Sequence, residues 1–297
     1  MALAASAAAT ESDRARRQRA RRLGNAVRGL GVHLAVIVWL LIALGPYVWM
    51  FLTSVKPSLE LYEFPVRYLP SAVGFEAYEQ LFTTTPFARF FANSAIVAVA
   101  TVAFTTTVAT LAAYALSRFR IPGKPIILVI LLVTQLMPAV LLVIPLFISL
   151  RGLGLLNTWY GLTLVHSAFA LPFTTYLVTG FLDAIPKELD EAAKIDGCSD
   201  LGAFRWVVLP LLAPSLAAAS TYVFIYSWNE FIYALTFMTR EAARTLPVGL
   251  HGFIGEFLIR WDLLTAGGVI ATVPTVLFFL LVQRRLISGL TAGAVKG

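Results

Sequence analysis

Residues 191–210 read EAAKIDGCSDLGAFRWVVLP, a polar stretch set between two long apolar runs. Upstream, Pro186 suits a first helical turn, and Glu188, Asp190 and Glu191 favour the positive end of a helix dipole. Gly197 supplies the left-handed conformation that stops a helix. Ser199 is placed to cap a second short helix running through Val208, and Pro210 opens the next apolar run. The spacing therefore predicts a helix-turn-helix over 186–210. Its first helix carries a small-residue patch, Ala192 and Ala193, flanked by Leu189 and Ile195. Small side chains let another surface approach the helix backbone while the two aliphatic residues supply apolar contact. Such a segment between apolar runs reads as a docking part.

The rest of the chain says in which solvent that part operates. Of 297 residues 59% are apolar and 13% charged, with mean hydropathy +0.80, against a charged share of roughly 25% in soluble domains. Runs long enough to cross a bilayer, about 17–25 residues each, lie near 30–53, 92–116, 125–150, 159–182, 211–238 and 263–282. The prediction is an all-α integral membrane protein with six transmembrane helices. Sixteen Lys and Arg fall in the N-terminal arm, the alternate loops and the C-terminal tail, against seven in the other loops. The excess of positive charge on one side places both termini, and the 186–210 loop, in the cytoplasm. The expected organisation is a basic arm over 1–29, a six-helix domain over 30–285 containing the loop, and a tail over 286–297. The arm, with its arginines from Arg14 to Arg28, reads as a flank held by anionic membrane lipid rather than as a nucleic-acid tail. Its order, alanines before basic residues, is the reverse of a secretory signal, so the first apolar run is read as a retained span.

Chemistry-bearing residues are few. Cys198 is the single cysteine, so no disulfide can close within the chain. His33, His166 and His251 lie on separate segments without metal-ligand spacing and read as packing or interface residues. A phosphate-cradling loop needs Gly, four residues, then Gly-Lys-Ser/Thr. The single Gly-Lys, Gly123-Lys124, is followed by Pro125, so no ATP site is expected here. Within the runs, Glu230 is the one clear carboxylate, and intramembrane carboxylates are costly and commonly functional. Together with Asn229 and Trp228 it offers amide hydrogen bonds and an aromatic face for a polar solute, with a place near the outer interface or in a contact between subunits as the alternative. Gln135 with Thr134, and Ser167 with His166, are further pathway candidates, with interhelical hydrogen bonding as the alternative. Prolines 46, 138, 145, 172 and 274 can each bend a helix, and for the Pro138/Pro145 pair shaping the wall of a moving pathway is the alternative to simple bending. The largest stretch outside the runs, 54–91, is expected to form short helices and turns.

The 191–210 stretch resembles the EAA loop of ATP-binding-cassette importer permeases. That pattern is Glu-Ala-Ala, three residues, Gly, nine residues, a β-branched aliphatic, one residue and Leu-Pro. Glu191, Ala192, Ala193, Gly197, Val207, Leu209 and Pro210 all fall in register. From about residue 40 to 297 the chain is similar to carbohydrate-importer permeases of the maltose-transporter G-subunit type. The stretches that carry this are NS at 93–94, AYALSRF at 113–119, PG at 122–123, PL at 145–146, GLLN at 154–157, IPKEL at 185–189, WNEF at 228–231, RTLPVGL at 244–250 and GLTAGAVKG at 289–297. Cys198 departs from the small Ala usual after the glycine.

The resemblance implies a type I importer permease fold in a bacterial or archaeal inner membrane, with no catalysis by this chain. It implies a second permease subunit, an ATPase dimer that holds the ATP and Mg, and an extracytoplasmic sugar-binding protein. Glu191, Ala192, Ala193, Asp196, Gly197, Leu209 and Pro210 would carry the ATPase contact, and the loop over 239–262 would face the binding protein. The C-terminal tail would reach between the ATPases. Transport would proceed by alternating access. The alternatives are an importer of another solute, such as a polyamine or a sugar phosphate, and a secondary transporter, which would usually need intramembrane charge relays. A membrane-embedded transferase would need clustered acids or an activated nucleophile that the chain lacks.

Overall fold

A computed structural model of the chain describes the backbone of residues 29–294, with side chains through Gln283; the basic arm lies outside the described residues. The helices are α1 Gly29–Ser54, α2 Glu76–Thr83, α3 Phe87–Arg118, α4 Lys124–Thr134, α5 Val143–Gly152, α6 Trp159–Asp183, α7 Glu188–Ile195, α8 Asp200–Ala203, α9 Leu209–Leu211, α10 Ala213–Asn229, α11 Ile232–Phe237, α12 Leu246–His251 and α13 Trp261–Ala294. A single-turn helix at Ser58–Leu61 joins α2 in the 54–91 stretch, as expected from its prolines. The last helix continues beyond residue 285, so the backbone of the expected tail is helical as far as Ala294.

At the centre, α3 packs along the length of α6, with α10 against both and α13 behind α10. The reason lies in residue size. Ser94, Val97, Ala98, Thr101, Thr105, Ala109 and Ala113 are the buried stripe of α3, and Gly161, Ala170, Thr174 and Val178 lie along α6. Small residues repeating every three or four positions let two backbones approach closely where no hydrophobic effect drives helices together. Many of the threonines return their hydroxyl to the carbonyl four residues back, as Thr110 does to Thr106 and Thr174 to Ala170, which satisfies those donors within the helix itself.

Among the described residues four helices are singly long and apolar enough to cross a membrane, and two bent pairs raise the number to six. The six expected runs are thus present, but two of them are not single helices. The run over 125–150 turns by 89° between α4 and the 139–152 segment. Pro138 has no N–H to continue the helix and holds an extended backbone (φ −61°, ψ 116°) ahead of the turn Ala139–Leu142. Pro145, in the first turn of α5, needs no such donor and leaves its helix intact. Pro172 and Pro274 lie inside unbroken helices. The run over 211–238 is divided as well: α10 ends at Asn229, Glu230 is extended (ψ 128°) and α11 begins at Ile232. No proline or glycine marks that break.

Three turns on the face opposite the 186–210 loop account for other quoted stretches. Asn93 Nδ2 donates to the carbonyls of Ala242 and Arg244, and the backbone N–H of Leu246 donates to Ser94 Oγ. Asn157, at φ 59°, accepts from the Arg240 backbone N–H at 2.7 Å. A Cβ on Gly249 would lie 2.1 Å from the Phe90 ring, so α12 reaches α3 only because that residue has no side chain.

Candidate coupling site and the membrane polar network

The 186–210 segment folds as a helix, a tight turn and a second helix. Pro186 stands just before Lys187, the residue that precedes α7, rather than inside its first turn. Gly197 adopts φ +89°, and open space surrounds the position a Cβ would take, so glycine is required there for conformation and not for room. The turn is closed by the backbone N–H of Cys198 donating to the Ala193 carbonyl at 2.9 Å. Ser199 Oγ accepts from the Gly202 N–H at 3.2 Å and caps α8. The second helix does not stay regular through Val208: Phe204–Val208 widens into a π-turn, with the Leu209 N–H bonded to the Phe204 carbonyl. Pro210 has no N–H for the carbonyl of Trp206, and the wider turn changes the register just before it. The Asp200–Leu211 segment then meets α10 at 75°.

Burial divides the predicted docking residues. Glu191, Ala192, Asp196 and Gly197 are exposed on one side of the turn, with Ile195 beside them at 87% exposure. Ala193 faces the opposite way and is buried, so the expected Ala192/Ala193 patch has only its first member on the surface. Leu209 is partly buried against the inner core, and Pro210 is exposed. An exposed ion pair, Lys194 with Asp200 at 2.5 Å, bridges the two helices, and the hydrogen bond to Asp200 holds the Lys194 ammonium above its usual pKa.

The loop is fastened to the membrane helices by residues whose role the sequence did not reveal. Asp190, on the inner side of α7, lies 2.9 Å from Arg118 Nε at the end of α3, with both side chains under 10% exposed. That approach is a charge contact without hydrogen-bond alignment at Nε. The rest of the guanidinium donates to the carbonyls of Leu182 and Ile185, at the end of α6. The Tyr114 hydroxyl points to Asp190 Oδ1, and its ring packs on Phe204 at 4.7 Å between centroids. Ser117 and Lys124 both bind Asp183. Phe204, Val208 and Leu212 complete the inner core with Ala113, Val178 and Leu182. Arg118 belongs to the AYALSRF stretch quoted for the resemblance, which assigned it no role.

The intramembrane candidates occupy a different region. Glu230 Oε1 accepts from the Tyr233 N–H at 2.8 Å, and Oε2 from the Ala234 N–H at 3.0 Å and His166 Nε2 at 3.1 Å. Its side chain is 8% exposed. Both oxygens are therefore engaged within the chain. His166, 1% exposed, has Ser227 Oγ at 2.8 Å on its other nitrogen. Interhelical bonding is thus what the structure assigns to His166, whereas Ser167 has no partner. Asn229 is exposed, donates to the Ile225 carbonyl, and lines a groove of about 650 Å³ with Trp228, Thr272 and Thr275. Gln135 donates to the Phe169 carbonyl at 3.0 Å and borders a separate groove with Phe173 and Tyr222. The three candidates do not converge on one site.

Residues 105–291 match the family model described as binding-protein-dependent transport system inner membrane component. The chain belongs to this family. It is a multi-pass membrane permease with the type I importer fold. It is 38% identical over 89% of its length to the sulfoquinovosyl glycerol transport system permease protein SmoH of Agrobacterium fabrum, covering 93% of that protein. It is 36% identical over 89% of its length to the trehalose/maltose transport system permease protein MalG of Thermococcus litoralis, covering 95% of it. A crystal structure of a bacterial ABC transporter involved in import of the acidic polysaccharide alginate contains a similar chain. The TM-score is 0.75 at 25% identity, over 88% of this chain and 97% of that one. The permease fold expected from the 191–210 stretch is therefore present.

Proposed function

We propose that this permease forms half of the translocation pathway of an ATP-driven sugar importer and moves in response to ATPase subunits gripping the 186–210 loop. The observation that carries the reading is the two-sidedness of α7. Its outer side presents Glu191, Ala192 and Ile195, with Gly197 in the turn beyond, while its inner side is tied through Asp190 to Arg118 and so to α3 and α6. A push on the outer side is passed to the spans without slack, because α7 is bonded to the ends of two of them.

Sugar is the favoured solute because the relatives named above, and a trehalose transport permease SugB of Mycobacterium tuberculosis at 38% identity, are saccharide or sugar-conjugate permeases by name. ATP and Mg would be held by the ATPase partners. A second permease is supported by α1, an apolar helix that the rest of the chain leaves uncovered along its spanning window and that touches the bundle near its end, as Met50 does against Gly268. An extracytoplasmic binding protein is supported by the hairpin around the Ile254–Ile259 bridge, whose tip exposes Phe257 at 95%. Another solved structure of an alginate transporter is in complex with a pentasaccharide-bound periplasmic protein. Gln135 and Asn229, each exposed at a groove, are the residues proposed to meet the solute.

The test is sugar uptake and ATP hydrolysis by the complete complex in proteoliposomes, with Glu191→Lys and Gly197→Pro in this chain. Loss of uptake with loosened ATPase association is expected. Normal binding-protein-stimulated hydrolysis and uptake in both variants would refute the loop as the coupling part.

A further inference from the structure

We propose that Glu230, Tyr233 and His166 form one brace that joins the breaks in the third and fifth spans, so that α5 and α11 swing as a single body pivoting on α6. The inference rests on the importer reading above for the motion it serves, but its geometry is independent of the solute.

A break in a spanning helix exposes backbone groups that lipid cannot satisfy. In the fifth span the cause is a side chain. The Glu230 carboxylate takes the N–H groups of Tyr233 and Ala234, which the helix would otherwise have bonded to carbonyls one turn back. A buried carboxylate needs a further partner, and His166 Nε2 supplies it from the middle of α6. Ser227 and, at 3.4 Å beyond it, Thr101 carry the polar chain on to α10 and α3. Glu230 is thus at once the cause of the break and its attachment to the central helix.

Tyr233 carries the connection to the third span. Its hydroxyl donates to the Ala139 carbonyl at 2.8 Å, in the turn directly after Pro138, while its own N–H is bonded to Glu230. The residue is 1% exposed and its ring stacks on Phe169 of α6 at 4.9 Å. On the other side of the same break Gln135 donates to the Phe169 carbonyl. Pro172, three residues further along α6, removes the N–H that the Ala168 carbonyl would have accepted, one residue before Phe169. Beyond the breaks, Phe147 and Leu150 of α5 pack with Tyr233, Ala234 and Phe237 of α11. The two outer segments therefore share one hydrogen bond and one apolar core, which also takes in Leu162 and Val165 of α6 and Val97 of α3, and their side-chain polar ties to α6 fall at His166 and Phe169.

The complete transporter, with its ATPases, second permease and binding protein, is reconstituted carrying Tyr233→Phe, Glu230→Gln or both. Uptake per ATP hydrolysed should fall about two- to tenfold in each single variant, the size expected for one hydrogen bond. The KM for substrate-loaded binding protein should stay unchanged, and the double variant should be no worse than the poorer single one. A raised KM with normal uptake per ATP, additive losses, or no change in any variant would overturn the brace. Should Glu230→Gln fail to assemble, Tyr233→Phe, which removes one hydroxyl, is read alone by the same criteria. As a second readout, spin labels at Ser149 on α5 and Leu235 on α11, in a Cys198→Ala background, should keep their separation when the complex is trapped with ATP. Each should shift relative to a label at Tyr176 on α6. A changed Ser149–Leu235 separation in the otherwise unaltered protein would refute the single body. Wild-type uptake that needs no ATP would instead sink the importer reading, and the label distances, followed with substrate present, would still judge the brace.

Discussion

Asp190 and Arg118 show how much one residue depends on its partner. Each is buried, and each alone would be an uncompensated charge. Asp190→Ala should destabilise the chain by about 3–5 kcal/mol, the penalty for stranding a buried charge, whereas the joint Asp190→Leu, Arg118→Met change should recover most of it. Thermal unfolding of the purified complex measures both, and equal losses in the single and joint variants would contradict the pairing. Gly197→Ala acts differently. It meets no neighbouring atom but forces an L-residue to φ +89°, at a cost of about 1–2 kcal/mol, so a loosened loop and reduced uptake are expected without loss of the membrane fold. Lys194 answers a question of pH. Its pKa lies above the ordinary lysine value of 10.5 because Asp200 accepts its hydrogen bond. A raised basic pKa stabilises below the unfolded value and is lost only as pH climbs through the folded one. Between pH 6 and 9 the Lys194–Asp200 bridge should therefore impose no pH dependence on loop stability, and a difference in pH profile between wild type and Lys194→Ala in that window would show otherwise.

Whole helices meet at places where a single atom decides the distance. On α12, Gly249→Ala would push a methyl into the Phe90 ring of α3. A loss of about 1–3 kcal/mol is expected for overpacking, and with Phe90→Ala, which removes Cγ and the ring, the pair should lose less than the sum of the single losses; the midpoints of thermal unfolding for the two single variants and the pair test this. Breaks within spans follow two separate rules. Pro138 interrupts the third span through the missing donor, and the pattern announces it. Glu230 interrupts the fifth through a carboxylate that competes for backbone N–H groups, and no propensity scale anticipates that. Likewise, the π-turn at Phe204–Val208 accommodates Pro210 where the loop joins α10.

For the whole molecule, the uncovered face of α1 sets the prediction. Its Ile37, Leu41, Leu44 and Val48 lie on one side of a helix that the chain's own core does not cover. A cysteine at Ile37 or Leu44, in the Cys198→Ala background, should form a disulfide with cysteines scanned along the second permease in the assembled complex. Failure of both positions to cross-link to any scanned site would assign that face to lipid. The isolated chain should neither hydrolyse ATP nor accumulate sugar.

Composition, span length and charge asymmetry sufficed for the membrane class and the six apolar runs, because a bilayer imposes its thickness and its backbone bonding on any sequence inside it. The helix-stop at Gly197 and the cap at Ser199 were equally legible, since both depend on residues within a few positions. What tertiary structure alone decided was direction and pairing: that Ala193 turns inward while Ala192 stays out, that Arg118 finds Asp190, and that Glu230 bonds to His166 and the start of α11. Those outcomes follow from which helix lies beside which. Partners distant along the chain meet only after packing has brought their backbones together, and a buried charge then takes the nearest group able to satisfy it.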